Sequence, residues 1–284
     1  MKPADWPPYV ATFPAPAKLN LDLRITGRRS DGYHNLETVF CLIGLYDTIG
    51  LAVRRDNQIQ LHTPTSDVPP EQNLVCRAAA ALRQAAGIAT GVDIWLHKTI
   101  PMGGGLGGGS SDAATVLLAL NRLWGCHLSR EQLMEIGLKL GADVPFFIFG
   151  RSAFAQGVGE QLQDMEIPEQ WYVVAKPDVH VNTATIFSHQ DLTRDSKPSI
   201  MPTFLSLQPF RNDMQAVVLE EFPQVAQAFQ ALSQYGQAQM TGSGACVYLA
   251  LSDKNQAEAV YRKMAQDYQS YCVAGLAQHP LLNI

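Results

Sequence analysis

The chain has 284 residues, 46% of them hydrophobic, and a formal net charge of -5 at pH 7. This length allows one large domain or two ordinary ones. The acidic balance argues against a nucleic-acid-binding protein, which usually carries a basic excess, but not against a locally positive cleft for an anionic small molecule. The five cysteines are scattered and never spaced as CxxC, so neither a disulfide framework nor a structural zinc site is expected.

The N-terminal residues and the hydropathy indicate a cytoplasmic protein. The first eight residues, MKPADWPP, lack the apolar core of a signal peptide. No apolar run approaches the roughly 18 residues that cross a bilayer. We therefore expect a cytoplasmic protein without membrane partners. We also expect a small-molecule substrate, no nucleic-acid partner, and a monomer or weak homodimer.

Strand-like and helix-like segments follow one another without a strict βαβ rhythm, which predicts an α+β fold. Patterns of apolar residues and turn signals predict strands over 18–26, 36–45, 92–98, 171–175 and 246–251. Helical spacing and capping signals predict helices over 73–86, 111–124, 129–140, 213–222, 224–235 and 254–267. The pattern of strand-like and helix-like segments changes between residues 155 and 170, and a polar, turn-rich stretch follows at 179–202. We therefore divide the chain into domains 1–160 and 161–284.

A glycine-rich segment connects the strand at 92–98 to the helix at 111–124. Its six glycines let the backbone approach a ligand closely and adopt positive φ. Successive N–H groups, together with the following helix N-terminus, can then bind phosphate oxygens. The predicted triphosphate site consists of Pro101, Met102, Gly103, Gly104, Gly105, Leu106, Gly107, Gly108, Gly109, Ser110 and Ser111.

Other interpretations of this segment remain open at this point. Gly103, Gly105 and Gly108 fit the dinucleotide pattern GxGxxG, although a segment with six glycines meets such patterns by chance. The acidic residue expected about 20 residues later would be Glu131, at a helix start. The Walker A pattern fails because no Lys precedes Ser110. A flexible linker is the third interpretation, although linkers are unusual between a strand and a helix.

Two further segments carry side chains that suit phosphoryl transfer. Lys18 and Asn20 alternate on a strand and share one face, a pattern that by itself is typical of a solvated face. Asp143 follows the helix at 129–140, where the helix dipole disfavours a carboxylate, so either a function or a plain turn explains it. A kinase needs a base for the substrate hydroxyl and a cation beside it. Lys18 and Asp143 meet this need if the fold brings them together.

Three segments together resemble the GHMP kinases, which include galactokinases and homoserine, mevalonate and phosphomevalonate kinases. PAPAKLNL at 14–21 is similar to the first motif of that family, residues 101–111 to its ATP loop, and MTGSGAC at 240–246 to its third motif. The resemblance implies ATP as co-substrate with Mg²⁺, Asp143 as catalytic base and Lys18 as its electrostatic partner. It also implies a ribosomal-protein-S5-like N-terminal half, a ferredoxin-like C-terminal half, and an active site between them.

Residues 27–40, which contain DGYHNL, and LGADVP at 140–145 resemble one branch of the family more closely. In that branch the γ-phosphoryl group of ATP goes to the 2-hydroxyl of 4-diphosphocytidyl-2-C-methyl-D-erythritol, in the non-mevalonate route to isoprenoid precursors. By matching position, the acceptor side is Asn20, Tyr33, His34, Phe187, Thr241 and Gly242, and the adenine side is Asn73, Leu74 and Lys98. No protein metal ligand is assigned, although Ser110 or Ser111 could contact Mg²⁺. Another GHMP kinase, a nucleotide-binding regulator and an NAD-dependent oxidoreductase are the alternatives.

Overall fold

A computed structural model of the chain describes residues 3–63, 68–199 and 207–283. Helices and strands occur in mixed order, so the predicted α+β class is confirmed. The strands are β1 (Ala11–Arg28), β2 (His34–Arg54), β3 (Ile59–Leu61), β4 (Gly91–His97), β5 (Ala153–Gly157), β6 (Gln161–Asp164), β7 (Trp171–Lys176), β8 (Ala238–Met240), β9 (Val247–Leu251) and β10 (Gln269–Leu276). The helices are α1 (Leu74–Ala86), α2 (Gly108–Leu123), α3 (Arg130–Leu138), α4 (Val144–Phe149), α5 (Thr183–Ser188), α6 (Gln215–Glu221), α7 (Pro223–Ser233) and α8 (Lys254–Met264).

Strand β2 joins the sheet of the N-terminal half to that of the C-terminal half. It pairs antiparallel with β1, β4 and β5, and its middle also pairs with the end of β10. Strand β10 in turn pairs with β7, giving the order β3-β4-β2-β10-β7-β9-β8. Residues of the two halves are therefore held in a fixed relation by backbone hydrogen bonds.

Buried apolar residues fix the strand that bears Lys18 and Asn20. One cluster lies between the N-terminal sheet and α1, α2 and α4, and a second packs α6, α7 and α8 on the C-terminal sheet. A third includes Leu19 of β1, Ile43 of β2 and Tyr172 of β7, all fully buried. Full burial of a Leu or Ile side chain contributes roughly 1.5–3 kcal/mol. Strand β1 is thereby fixed between the two halves.

Local signals place the helices around the glycine-rich segment. Helix α2 is buried continuously over residues 111–120. From Val116 to Leu120 it is apolar on all sides, as expected for a buried helix. Gly125 has φ +64° just after its end, as predicted. Helix α3 begins with a capping box in which Ser129 and Gln132 satisfy each other's backbone N–H groups, also as predicted.

Several sequence-based expectations differ from the structure. Strands β3, β5, β6, β8 and β10 and helices α4 and α5 were not expected, and β1 and β2 are much longer than the predicted 18–26 and 36–45. The alternative of a solvated face at Lys18 and Asn20 is wrong, because both residues are buried, at 3% and 4% exposure. The division between domains 1–160 and 161–284 stays a prediction. Every helix in the described residues is too short or too polar to span a lipid bilayer.

Candidate active site

The glycine-rich loop separates two cavities. The larger has a volume of about 1270 Å³ and is lined by residues from both halves of the chain. The smaller has a volume of about 450 Å³ and lies between the loop, the end of β4 and the start of α1. Gly103, Gly105 and Gly107 line both cavities. A phosphate chain held along the loop in one cavity could therefore reach a ligand in the other.

The loop needs glycine where other backbone passes close to it. Gly105 has φ +73°, and a Cβ atom there would clash with the carbonyl oxygen of Thr241. Gly107 has φ +71°, and its Cβ atom would lie 2.9 Å from the Phe147 ring. Both conformations are strained for residues with side chains. The loop thus depends on glycine for its shape as well as for ligand access.

Lys18 on β1 lies at the meeting point of the loop and the larger cavity. Its ammonium donates hydrogen bonds to Oδ1 of Asn20 at 2.5 Å and to the carbonyl oxygen of Gly105 at 3.0 Å. Oδ2 of Asp143 lies 3.5 Å from the same nitrogen. The ammonium also lies 5.4 Å from the centroid of the Phe40 ring, within cation–π range. The fold thus brings the two predicted catalytic side chains together.

Asp143 occupies the position before α4 and lines the larger cavity. The expectation that it lies at an unfavourable helix C-terminus is wrong, because a new helix begins directly after it. A carboxylate is favoured near a helix N-terminus. Among the described residues its side chain forms no capping hydrogen bond, and it is 33% exposed. The carboxylate is therefore accessible from the cavity while it stays beside Lys18.

Asn20, Thr241 and Gly242 connect β1 to the turn at 241–244. The backbone N–H of Asn20 donates to the Thr241 hydroxyl at 2.9 Å, and its side-chain amide donates to the Thr38 hydroxyl at 2.8 Å. Asn20 and Gly242 line the larger cavity. Thr241 is fully buried, so it supports the cavity wall from behind.

The far end of the larger cavity contains the predicted aromatic residues. The rings of His34 and Phe187 stack with centroids 4.9 Å apart and planes 16° from parallel. Tyr33 lines the same cavity and is 67% exposed. Burial, together with the charges of Arg194 and Arg28, lowers the pKa of His34. A neutral imidazole near pH 7 can both donate and accept hydrogen bonds.

The smaller cavity contains the residues predicted for the adenine side. Asn73, Leu74 and Lys98 line it, together with Ser110, whereas Ser111 is fully buried. Asn73 also caps α1 by accepting the N–H of Val75 at 3.1 Å. These contacts hold the start of α1 against the glycine-rich loop.

Lys98 takes part in a buried ion cluster that sequence reasoning missed. Its ammonium contacts Asp47 and lies 2.7 Å from Oδ2 of Asp112. The other Asp47 oxygen accepts the N–H groups of Thr99 and Ile100 at 2.6 and 2.8 Å. Burial raises the pKa of Asp112, against the opposing effect of Lys98. The cluster ties both ends of the loop together.

The sequence contained only a weak signal for these additional residues. Asp112 directly follows the two serines of the loop, so the segment could have been extended to it. Asp47 and Thr38 lie on β2, and their positions beside the loop and Asn20 follow from strand pairing alone. His180 lines the larger cavity, and Asn212 donates hydrogen bonds to the backbone at Met240 and Gly242. Both belong to loops with no recognisable pattern. No composition or spacing rule would have selected Asp47, Thr38, His180 or Asn212.

Comparison with known proteins identifies the family. The model of the GHMP kinases N terminal domain matches residues 73–151, and that of the GHMP kinases C terminal region matches residues 201–270. The chain belongs to the GHMP kinase family. It is therefore an ATP-dependent small-molecule kinase, as predicted. The assignment of the glycine-rich loop to the phosphates of ATP stays a prediction.

Close relatives of this GHMP kinase share one name. A protein of Neisseria meningitidis serogroup A named 4-diphosphocytidyl-2-C-methyl-D-erythritol kinase is 61% identical, over 96% of this chain and 97% of the relative. A Chromobacterium violaceum protein of the same name is 52% identical, over 96% and 97%. A crystal structure of 4-(cytidine 5'-diphospho)-2C-methyl-D-erythritol kinase is similar with a TM-score of 0.81 and 32% identity, covering 93% of this chain and 99% of that one. Homoserine kinase from Cytophaga hutchinsonii, at a TM-score of 0.67, 15% identity, and 98% coverage of both chains, shares the fold alone.

Proposed function

We propose that this GHMP kinase transfers the γ-phosphoryl group of ATP to the 2-hydroxyl of 4-diphosphocytidyl-2-C-methyl-D-erythritol, in the non-mevalonate route to isoprenoid precursors. The names of relatives 50–61% identical over nearly the full length support this acceptor. The main structural support is the Lys18–Asp143 pair at 3.5 Å. It lies in a cavity that also contains the His34–Phe187 stack and shares three glycines with a second cavity.

In this proposal ATP occupies the smaller cavity. Asn73, Leu74 and Lys98 surround the adenosine, and the phosphates follow the glycine-rich loop toward Gly105 and Gly107. Backbone N–H groups of the loop and of the first turn of α2 would then face the phosphate oxygens. Such donors are already oriented before the reaction, so they stabilise developing negative charge without reorganisation.

The acceptor occupies the larger cavity, with its cytosine at the aromatic end. A flat base can stack on Tyr33 or on the His34–Phe187 pair. Nε2 of His34 is buried and has no hydrogen-bond partner among the described residues. A polar atom in this state needs a partner, and an edge of the cytosine would supply one. Asn20 and Gly242 would lie near the alcohol end, close to Lys18.

Asp143 acts as the general base in this arrangement. Its carboxylate accepts the proton of the 2-hydroxyl while that oxygen forms a bond to the γ-phosphorus. The bond from the γ-phosphorus to the bridging oxygen breaks, and ADP leaves. Lys18 has three donor hydrogens, and Asn20 and Gly105 account for two hydrogen bonds. The ammonium therefore still faces Asp143 and the reacting oxygens.

Mg²⁺ is part of the proposal as the ion that accompanies ATP. The described residues contain no group of three or more His, Cys, Asp or Glu side chains that could hold a metal. Mg²⁺ that accompanies ATP is usually held by phosphate oxygens and water, together with one or two protein oxygens. Ser110 lines the smaller cavity and is the accessible hydroxyl, whereas Ser111 is buried. The bound ion would neutralise phosphate charge.

A cytoplasmic location and a monomeric or weakly dimeric state stay predictions.

The test is a direct comparison of acceptors. The purified protein is incubated with MgATP and 4-diphosphocytidyl-2-C-methyl-D-erythritol, mevalonate or homoserine, and ADP release is measured. Phosphorus NMR then locates the new phosphate monoester. We expect turnover with the cytidine compound alone, a phosphate on its 2-hydroxyl, and inhibition by CDP. Turnover with mevalonate or homoserine instead would show that the proposed acceptor is wrong. Nucleotide binding without turnover on any alcohol would indicate a regulator.

A further inference from the structure

The turn at 241–244 is attached directly to the glycine-rich loop. The N–H groups of Ala245 and Cys246 donate to the carbonyl oxygens of Gly103 and Gly104, both at 3.3 Å. A Cβ atom on Gly242 would lie 3.2 Å from Cα of Gly105, so the two backbones are in close contact. The C-terminal half thus supports the loop on the side that faces the larger cavity.

Asn212 fixes this turn through its side-chain amide. Its Nδ2 donates to the carbonyl oxygens of Met240 at 3.0 Å and Gly242 at 2.8 Å. Its Oδ1 accepts the N–H of Met214 at 2.9 Å. Both hydrogens and the oxygen of the amide are therefore engaged with backbone groups, and the side chain has one orientation that satisfies all three.

The position of Asn212 is itself determined by β1. The N–H of Leu23 donates to the carbonyl oxygen of Arg211 at 2.8 Å, and the N–H of Asp213 donates to the carbonyl oxygen of Leu23 at 2.9 Å. Asn212 forms a parallel bridge with Leu23 between these two bonds. Strand β1 also bears Lys18 and Asn20. The residue that holds the turn is thus attached to the strand that bears the ammonium.

We propose that Asn212 is a positioning residue for phosphoryl transfer, which holds the 241–244 turn against Gly105 and thereby keeps the Gly105 carbonyl oxygen on the Lys18 ammonium. The inference rests on the proposed function. The described linings of the two cavities do not include Asn212, so it acts through the turn and does not touch a substrate. Loss of the two hydrogen bonds from the Asn212 amide should displace Lys18 relative to Asp143. Small displacements of reacting groups lower the rate of transfer strongly.

The test compares Asn212→Asp with Asn121→Asp in the full chain. Asp is nearly isosteric with Asn but lacks the two amide hydrogens, so the acceptor for Met214 remains and both donations are lost. Asn121 in α2 makes the same kind of amide clamp, to the backbone carbonyl oxygen and N–H of Leu128, both at 3.0 Å, away from both cavities. We expect Asn212→Asp to lower kcat about 10- to 100-fold with little change in the KM for ATP. Asn121→Asp should leave kcat within about twofold.

Amide hydrogen exchange gives a second measurement that does not depend on turnover. In Asn212→Asp the amides of Ala245 and Cys246 should exchange faster relative to those of β9, whereas in Asn121→Asp they should not. Asn212→Ala, which adds no charge, serves in the same two assays if the Asp variant does not fold. Unchanged exchange at these amides, or a kcat equal to that of the control, overturns the proposal. If the wild-type protein does not phosphorylate the cytidine compound, the proposed acceptor is wrong. Hydrogen exchange at Ala245 and Cys246 still tests whether Asn212 holds the turn.

Discussion

The ammonium nitrogen of Lys18 lies 3.5 Å from the carboxylate of Asp143, although the two residues belong to distant parts of the chain. Lys18 is held on β1 by Asn20 and by the loop carbonyl oxygen of Gly105. Asp143 is held at the start of α4. The separation exceeds the 2.7–2.9 Å typical of a charge-assisted hydrogen bond. The pair is therefore close enough for electrostatic support and leaves the carboxylate accessible to a hydroxyl group.

Replacement of Asp143 by Asn should abolish most of the transfer rate. The amide keeps the size of the side chain but cannot accept the hydroxyl proton, so we expect kcat to fall at least ~100-fold. Binding of a non-hydrolysable ATP analogue, measured by calorimetry, should persist because the smaller cavity is unchanged. Asp164→Asn is the matched control, since that carboxylate is 54% exposed and pairs with Arg151 outside both cavities. Near-normal turnover of Asp143→Asn would remove Asp143 as the base.

Replacement of Phe187 by Leu should weaken binding of the acceptor and leave binding of ATP unchanged. The ring stacks on His34 at the aromatic end of the larger cavity. Stacking of a base on an aromatic side chain is worth about 1–3 kcal/mol, so we expect the KM for the cytidine acceptor and the inhibition constant of CDP to rise about 10-fold or more. Phe229→Leu is the control, because Phe229 packs on the same hydrophobic cluster as Phe187 but lies outside the cavity. Equal effects of the two variants would contradict the assignment of the cytosine site.

Replacement of Gly105 by Ala should both weaken ATP binding and lower the stability of the fold. The residue has φ +73°, and a Cβ atom would clash with the Thr241 carbonyl oxygen. We expect a lower Tm, because such backbone strain costs on the order of 1–3 kcal/mol, and a higher KM for ATP in steady-state kinetics. A Cβ atom on Gly27 would meet nothing within 4 Å, so Gly27→Ala should behave like the wild type. A Gly105→Ala protein with normal Tm and KM would show that the loop does not need this conformation.

Sequence reasoning found the loop and the predicted side chains but misjudged their surroundings. The capping box at Ser129 was visible because its two members are three residues apart. The sequence predicts Asp143 at the end of the preceding helix because only that helix has a recognisable pattern. Helix α4 has six residues, too few for such a pattern, although Pro145 in its first turn is typical of a helix start. The contact of Asp47 with Lys98 depends on the pairing of β2 with β4, which no local pattern encodes. Strand β10 is half-buried at nearly every position, so it shows no alternation.

Acid should destabilise the fold through His279 before it affects most carboxylates. This side chain is 1% exposed, and its Nδ1 accepts the N–H of Leu281 at 3.0 Å. Burial, with a smaller contribution from the charge of Arg130, lowers the pKa of His279 to about 3. The unfolded chain titrates near its usual value of about 6.5, so between pH 6.5 and 3 the unfolded state binds one more proton than the native state. The contribution to the free energy of unfolding is therefore present above pH 6.5 and is lost as pH falls, by about 2 kcal/mol at pH 5.

The variant that isolates this effect is His279→Asn, measured by urea unfolding at pH 7 and pH 5. Asn keeps an oxygen where Nδ1 accepts the Leu281 N–H but has no group that titrates in this range. We expect the variant to lose about 2 kcal/mol less than the wild type between the two pH values. His127→Asn is the control, because His127 is exposed with φ +55°, a conformation that Asn adopts readily. It should follow the wild type at both pH values, and a His279→Asn curve parallel to both would show that the buried imidazole binds its proton equally well in the folded and unfolded chains.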